Sequence, residues 1–187
     1  MYYAGIGSRD TPEDIGVIMT KLAIELESLG WCLRSGGARG ADTFFERGVS
    51  DPTNKQIFLH KEVTKTHVHN PVEGIYNASR CKDWDWAMQL ASEVHPKWHK
   101  CNKDAQGLHA RNVYQVLGTG SPKLSTSNMV ICWAIPDIHG VPEGGTRTAW
   151  KVAERYNISR YNLAVRADRE RITKWLESRK VYEQRES

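Results

Sequence analysis

Apolar and polar positions change period several times along this chain, and each change marks an element. The run Met1-Tyr2-Tyr3-Ala4-Gly5-Ile6-Gly7 is short, apolar and bounded by glycine, so it reads as a buried strand. Ile15, Ile18, Met19, Leu22, Ala23, Leu26 and Leu29 then recur at helical spacing, and Gly30 stands where a helix should stop. Thr11-Pro12 with Asp14 behind it predicts the start of that helix, Thr11 acting as N-cap and Pro12 as first helical residue. Trp31 to Arg34 predicts the second strand, Ala41 onward a helix carrying Phe44, Phe45 and Val49 to the Ser50-Asp51-Pro52 break, and Gln56 to His60 the third strand.

Residues 61 to 103 lack a sustained period and hold much of the aromatic content, including Trp84, Trp86 and Trp98. A helix is expected there over roughly Asp83 to Val94, and the rest reads as an insertion or lid beside a binding site. Leu108 to Leu117, closed by Gly118, predicts the next helix, and a loop from Thr119 to Thr126 leads to the apolar run Asn128 to Ala134. Beyond it, Glu143-Gly144-Gly145-Thr146-Arg147-Thr148 opens a helix through Glu154. Tyr161 to Val165 predicts a last strand and Arg169 to Lys180 a last helix. The alternation predicts an α/β fold: one doubly wound, mostly parallel Rossmann-like sheet over residues 1 to 187, helices on both faces, and an irregular aromatic insertion.

Composition narrows the picture modestly. Twenty-six Lys and Arg against 22 Asp and Glu give a net charge of +4. That balance suits an anionic ligand without requiring nucleic acid. The cysteines, Cys32, Cys81, Cys101 and Cys132, have no disulfide-framework spacing, which predicts reduced thiols in a cytoplasmic protein. No apolar run reaches the roughly 20 residues of a membrane span, and no signal peptide is expected.

The chemistry concentrates in three strand-to-helix corners. Gly5-Ile6-Gly7-Ser8-Arg9, Ser35-Gly36-Gly37-Ala38-Arg39-Gly40-Ala41-Asp42 and Gly144-Gly145-Thr146-Arg147-Thr148 each place glycines beside hydroxyl or Arg side chains at a helix start. Unpaired amides, the helix dipole and absent side chains make such corners anion sites. With parallel strands all three converge on one crevice. Arg9 and Arg147 are the favoured phosphate partners, ahead of Arg39. Asp42 either caps its own helix and orients the loop, the favoured reading, or bonds a sugar hydroxyl. The tryptophans pack a lid or subunit contact in preference to stacking on a base. His95, His99, Cys101, Cys81 and His109 match no familiar zinc spacing, so neither metal nor cofactor is expected. Ser8, Ser35 and Thr146 have no evident histidine base, so acyl-transfer chemistry is unsupported.

Together these motifs resemble the Rossmann-like SLOG superfamily, which includes the DNA-processing protein DprA and the LOG-type nucleotide phosphoribohydrolases. The Ser35 to Asp42 stretch is closest to DprA, where the corresponding turn binds phosphate of single-stranded DNA. Ala110-Arg111-Asn112 followed by Pro142 to Thr146 resembles the LOG order. The glutamate that LOG enzymes carry just after the turn is replaced here by Ala149, Trp150 and Lys151, while Glu143 precedes the glycines. The resemblance implies a nucleotide or nucleotide-derived signal as partner, bound and possibly sequestered by a homo-oligomer. The alternatives are a nucleoside 5'-monophosphate N-glycosidase, with Arg111 on the ribose phosphate and Glu143 assisting cleavage, and a DprA-like single-stranded DNA binder.

Overall fold

A computed structural model describes residues 1 to 60, 73 to 120 and 125 to 186, with side chains described as far as Arg179. Strands β1 (Tyr2–Gly7), β2 (Cys32–Ser35), β3 (Lys55–Leu59), β4 (Ile75–Asn77), β5 (Met129–Trp133) and β6 (Ser159–Asn162) form one parallel sheet in the order β4-β3-β2-β1-β5-β6. The helices are α1 (Glu13–Ser28), α2 (Ala41–Arg47), α3 (Trp84–Val94), α4 (Lys103–Leu117), α5 (Thr146–Arg155) and α6 (Arg166–Glu186). This is a Rossmann-like α/β fold, and strand order reverses between β1 and β5.

Side-chain alternation along the strands builds a core on each face. Ala4 and Ile6 of β1, with Val130 and Cys132 of β5, point toward α3, α4 and α5, where Leu90, Val113, Tyr114, Leu117 and Val152 are buried. Tyr3, Leu33 and Ile131 point the other way, onto Met19, Leu22, Phe45, Ile172 and Leu176 of α1, α2 and α6. Complete burial of each large side chain contributes on the order of 1.5 to 3 kcal/mol. Gly5 belongs to this second core: a Cβ there would lie 2.6 Å from Phe45 Cγ and 2.8 Å from Leu33 Cδ1.

Several boundaries differ from the sequence expectations for identifiable reasons. Thr11 does not cap α1, because its hydroxyl donates to Ser8 O at 2.8 Å, and Pro12 takes the N-cap position instead. Helix α4 starts five residues earlier than Leu108, capped by Asn102, whose side chain accepts from Ala105 N at 2.9 Å. The last strand is Ser159–Asn162 in place of Tyr161 to Val165, since the chain turns after Asn162, whose O accepts from Val165 N at 2.8 Å and whose Oδ1 accepts from Ala164 N at 3.1 Å.

Much of the described insertion is not a lid. Residues 75 to 77 add the sheet's edge strand, and α3 packs into the first core. Trp84 stacks on Tyr114 at 6.4 Å with rings 14° apart, and Trp86 and Trp98 also pack against that core. The His67-Val68-His69-Asn70-Pro71 stretch and residues 121 to 124 of the Thr119 to Thr126 loop lie outside the described residues.

A candidate crevice at the reversal of strand order

Where strand order reverses, the connections after β1 and β5 leave the sheet toward opposite faces, and a cleft opens between them. In this protein that cleft has a volume of about 900 Å³, the size of a small-molecule site. Its floor is Ile6, Gly7 and Trp133 at the strand ends. Its walls come from Ser8 and Arg9, from Gly144 to Arg147, from His109, Arg111, Asn112 and Gln115 of α4, and from His95 and Lys97. Gly7 permits the closeness of these walls, since a Cβ there would sit 2.5 Å from Trp133 O and 2.8 Å from Ala41 Cβ.

The three glycine corners meet this cleft unequally. At the β5 corner, no acceptor among the described residues bonds the amides of Gly144, Gly145 and Thr146, which begin α5. Asn112 Nδ2 donates to Gly145 O at 2.8 Å and so holds that corner from behind. Arg147 reaches Asp137 Oδ2 at 2.7 Å, so part of its charge is already answered. The Thr148 hydroxyl is paired with His109 Nδ1 at 2.8 Å and does not line the cleft.

At the β1 corner, Ser8 N donates to Trp133 O at 2.8 Å, and Ser8 Oγ accepts from Asp10 N at 3.1 Å. Arg9 is exposed at the rim and has no ion-pair partner among the described residues. Arg39 faces solvent, its side chain 78% exposed, with Asp10 at 3.9 Å.

The β2 corner is turned inward. Asp42 Oδ2 accepts from Gly36 N at 3.1 Å and from Ala38 N at 3.3 Å, so it orients the loop as expected but, against expectation, makes no side-chain cap on α2. Burial pushes the Asp42 carboxyl upward, while Arg111 and the amides of Ala38, Gly36 and Gly7 pull it down. Ser35 Oγ donates to Gly5 O at 2.7 Å inside the sheet. Gly36, Gly37, Arg39 and Gly40 do not line the cleft; Ala38 and Asp42 do. The expectation that this corner holds a phosphate on its amides is thereby corrected, because Asp42 already occupies two of them.

Arg111 is held in the same way. It is 9% exposed, and its Nη1 donates to Gly36 O at 2.5 Å and to Phe58 O at 3.1 Å, fastening α4 to the ends of β2 and β3. Gly36 makes room for it, because a Cβ there would lie 1.4 Å from Arg111 Nη1. Glu143 is exposed on the rim, and its amide donates to Ile135 O at 3.0 Å.

Two further histidines enter the wall. His95, just beyond α3, and His109 lie with ring centroids 4.1 Å apart. Burial, and then the charge of Arg147, lowers the His95 pKa. His109 is lowered to about 4 by burial first, then by His95 and Arg111. Both shifts favour the neutral imidazole. Cys101 Sγ is 3.9 Å from His95 Nδ1, so a cluster exists that the linear spacing did not reveal.

No protein-family model matches the chain, and no curated protein matches it. Among solved structures it is similar to DNA processing protein A from Helicobacter pylori, described with a unique single-stranded DNA binding mode. The TM-score is 0.54 at 19% identity, over 87% of this chain and 64% of that one. The chain therefore spans less than two thirds of the structure it matches. What the likeness shows is a shared, DprA-like Rossmann-like fold.

Proposed function

We propose that this chain is a SLOG-type protein that binds a nucleotide-like ligand, free or signalling, in the crevice between β1 and β5, with a phosphate on the α5 N-terminus. The observation that carries this reading is the trio of amides at Gly144, Gly145 and Thr146, which have no bonded acceptor among the described residues and line the cleft. A helix N-terminus stabilises an anion through these donors and its dipole, and Arg9, without an ion-pair partner among the described residues, supplies a positive charge at the rim. The cleft is also lined by Leu108, Pro96 and Ile135, apolar surface suited to a sugar or base. The N-glycosidase reading has less support, because Arg111 is engaged by Gly36 O and Phe58 O instead of standing ready for a ribose phosphate.

The test is a substitution that deletes one N–H. Gly145 has φ −61, near the value a proline ring fixes, and nothing lies within 4 Å of a Cβ added there, so Gly145→Pro removes the donor at a compatible φ. Calorimetric titration with nucleoside 5'-monophosphates should show affinity falling roughly tenfold or more in Gly145→Pro, as loss of a bond to a charged group requires, and unchanged in Gly145→Ala. Equal affinity in wild type and Gly145→Pro would remove α5 from the site.

A second reading, single-stranded DNA binding, is favoured by the likeness to DNA processing protein A. The two readings share the phosphate and differ in its number. A strand contacting several phosphates loses affinity steeply with salt, with a logarithmic slope near −0.7 per phosphate neutralised. A single nucleotide shows a slope of about one phosphate's worth.

A further inference from the structure

We propose that His95, Cys101 and His109 form a transition-metal site, of the zinc(II) class, whose fourth coordination position opens into the crevice. The candidate ligand atoms of the three residues all lie within 4.8 Å of one another, and they come from three separate elements: the end of α3, the turn after Trp98–Lys100, and the middle of α4. A tetrahedral zinc ion with nitrogen ligands near 2.0 Å and sulfur near 2.3 Å separates its ligands by roughly 3.3 to 3.6 Å. The 3.9 Å between Cys101 Sγ and His95 Nδ1 is already close to that spacing, and a metal ion there would take the place of Lys97 N, which donates to His95 Nδ1 at 3.3 Å.

The surroundings support ligation beyond proximity. His109 Nδ1 is paired with Thr148 Oγ1 at 2.8 Å, a bond that orients the ring as outer hydrogen bonds orient metal-bound histidines and leaves Nε2 available to ligate. Trp98 lies against both rings, 6.3 Å from His95 and 6.4 Å from His109, and forms an apolar wall beside the cluster. Two imidazoles and a thiolate match the preference of zinc over magnesium or calcium, which take oxygen. Three protein ligands leave one position for water or a ligand oxygen, the arrangement of open zinc sites. Since His95 and His109 line the same cleft as Gly144 to Thr146, that position faces the space a phosphate would enter. The metal site itself does not depend on the nucleotide reading.

Cobalt(II) titration of the chelator-treated full chain under anaerobic conditions tests this. The expected result is saturation at one cobalt per chain, with a thiolate-to-cobalt charge-transfer band and the strong visible bands of a tetrahedral ion. Cys101→Ala should abolish the charge-transfer band, and His109→Gln and His95→Gln should each weaken binding at least tenfold. His99→Gln, on an exposed neighbour outside the cluster, should leave binding unchanged. Absence of the charge-transfer band in the wild-type protein, or its persistence in Cys101→Ala, overturns the site. Inorganic phosphate should shift the visible bands of the cobalt form; bands that do not move overturn the open position on the crevice. Zinc bound with no nucleotide affinity would sink the proposed function and leave the metal site standing.

Discussion

Arg111 shows how one missing side chain decides where a charge goes. The guanidinium fills the volume a Cβ on Gly36 would take, so the glycine that reads as phosphate-binding serves instead to seat an arginine. Gly36→Ala should therefore destabilise the protein by about 1 to 3 kcal/mol or more, as forced overpacking does, whereas Gly145→Ala should be neutral or stabilising by up to about 1 kcal/mol. Urea denaturation of the pair checks this, and equal midpoints would contradict it. Asp42 is the complementary residue. Asp42→Ala strands the Gly36 and Ala38 amides and leaves Arg111 without its carboxylate nearby, at a cost of roughly 3 kcal/mol or more by the same measurement. The loop-orienting carboxylate of Asp42 was legible in the sequence, but the seat that Gly36 gives Arg111 was not. The Ser35 to Asp42 motif looks the same whether its amides face a ligand or the protein's own carboxylate.

Helix α4 does more of the organising than its amphipathic pattern suggests. Within a few residues it holds the β5 corner through Asn112, the β2 and β3 ends through Arg111, and α5 through His109. Asn112→Ala should keep the fold yet weaken nucleotide binding severalfold, because Gly145 loses its brace; calorimetry on a folded variant would show this. On the opposite face, Glu27 of α1 clamps the loop before β3. Burial pushes its carboxyl upward, but the Ser50 and Asp51 amides, the Ser50 hydroxyl and Asn54 outweigh that and bring it below the ordinary 4.5. A depressed carboxylate contributes stability above its unfolded pKa that is lost as pH falls through the folded one. Glu27→Gln should thus cost roughly 1 kcal/mol or less at pH 7, given its exposure, and flatten the fall in urea midpoint below about pH 4.5. An unchanged acid profile would contradict the clamp. The main elements were legible because parallel strands read as apolar runs between glycine corners. Edge strand β4 was not: Ile75–Asn77 is too short to show a period, and its backbone enters from Gly74 at φ +71. Asn102, by contrast, is a cap signal that a closer reading of the polar first turn of α4 would have found.

For the molecule as a whole, the sheet order is what converts separate corners into one site. The order β4-β3-β2-β1-β5-β6 puts the first and last glycine corners on either side of the reversal, and sets the second beneath them as support. The convergence was deducible once the strands were taken as parallel; the inequality of the corners was not, because it depends on which amides the packed chain uses for itself. Likewise the histidine and cysteine cluster is assembled by α3 and α4 folding against each other, which linear spacing does not record. The central claim is that a phosphate rests on the α5 N-terminus, and the most direct measurement is the amide resonances of isotope-labelled protein during titration with 5'-AMP, 5'-GMP, 5'-CMP and 5'-UMP. The account predicts that at least one of these moves the Gly144, Gly145 and Thr146 amides furthest and saturably, while Gly36 and Ala38, already bonded to Asp42, move little. Saturable shifts centred on Gly36 and Ala38, or no saturable shift at Gly144 to Thr146 with any of the four, would contradict it.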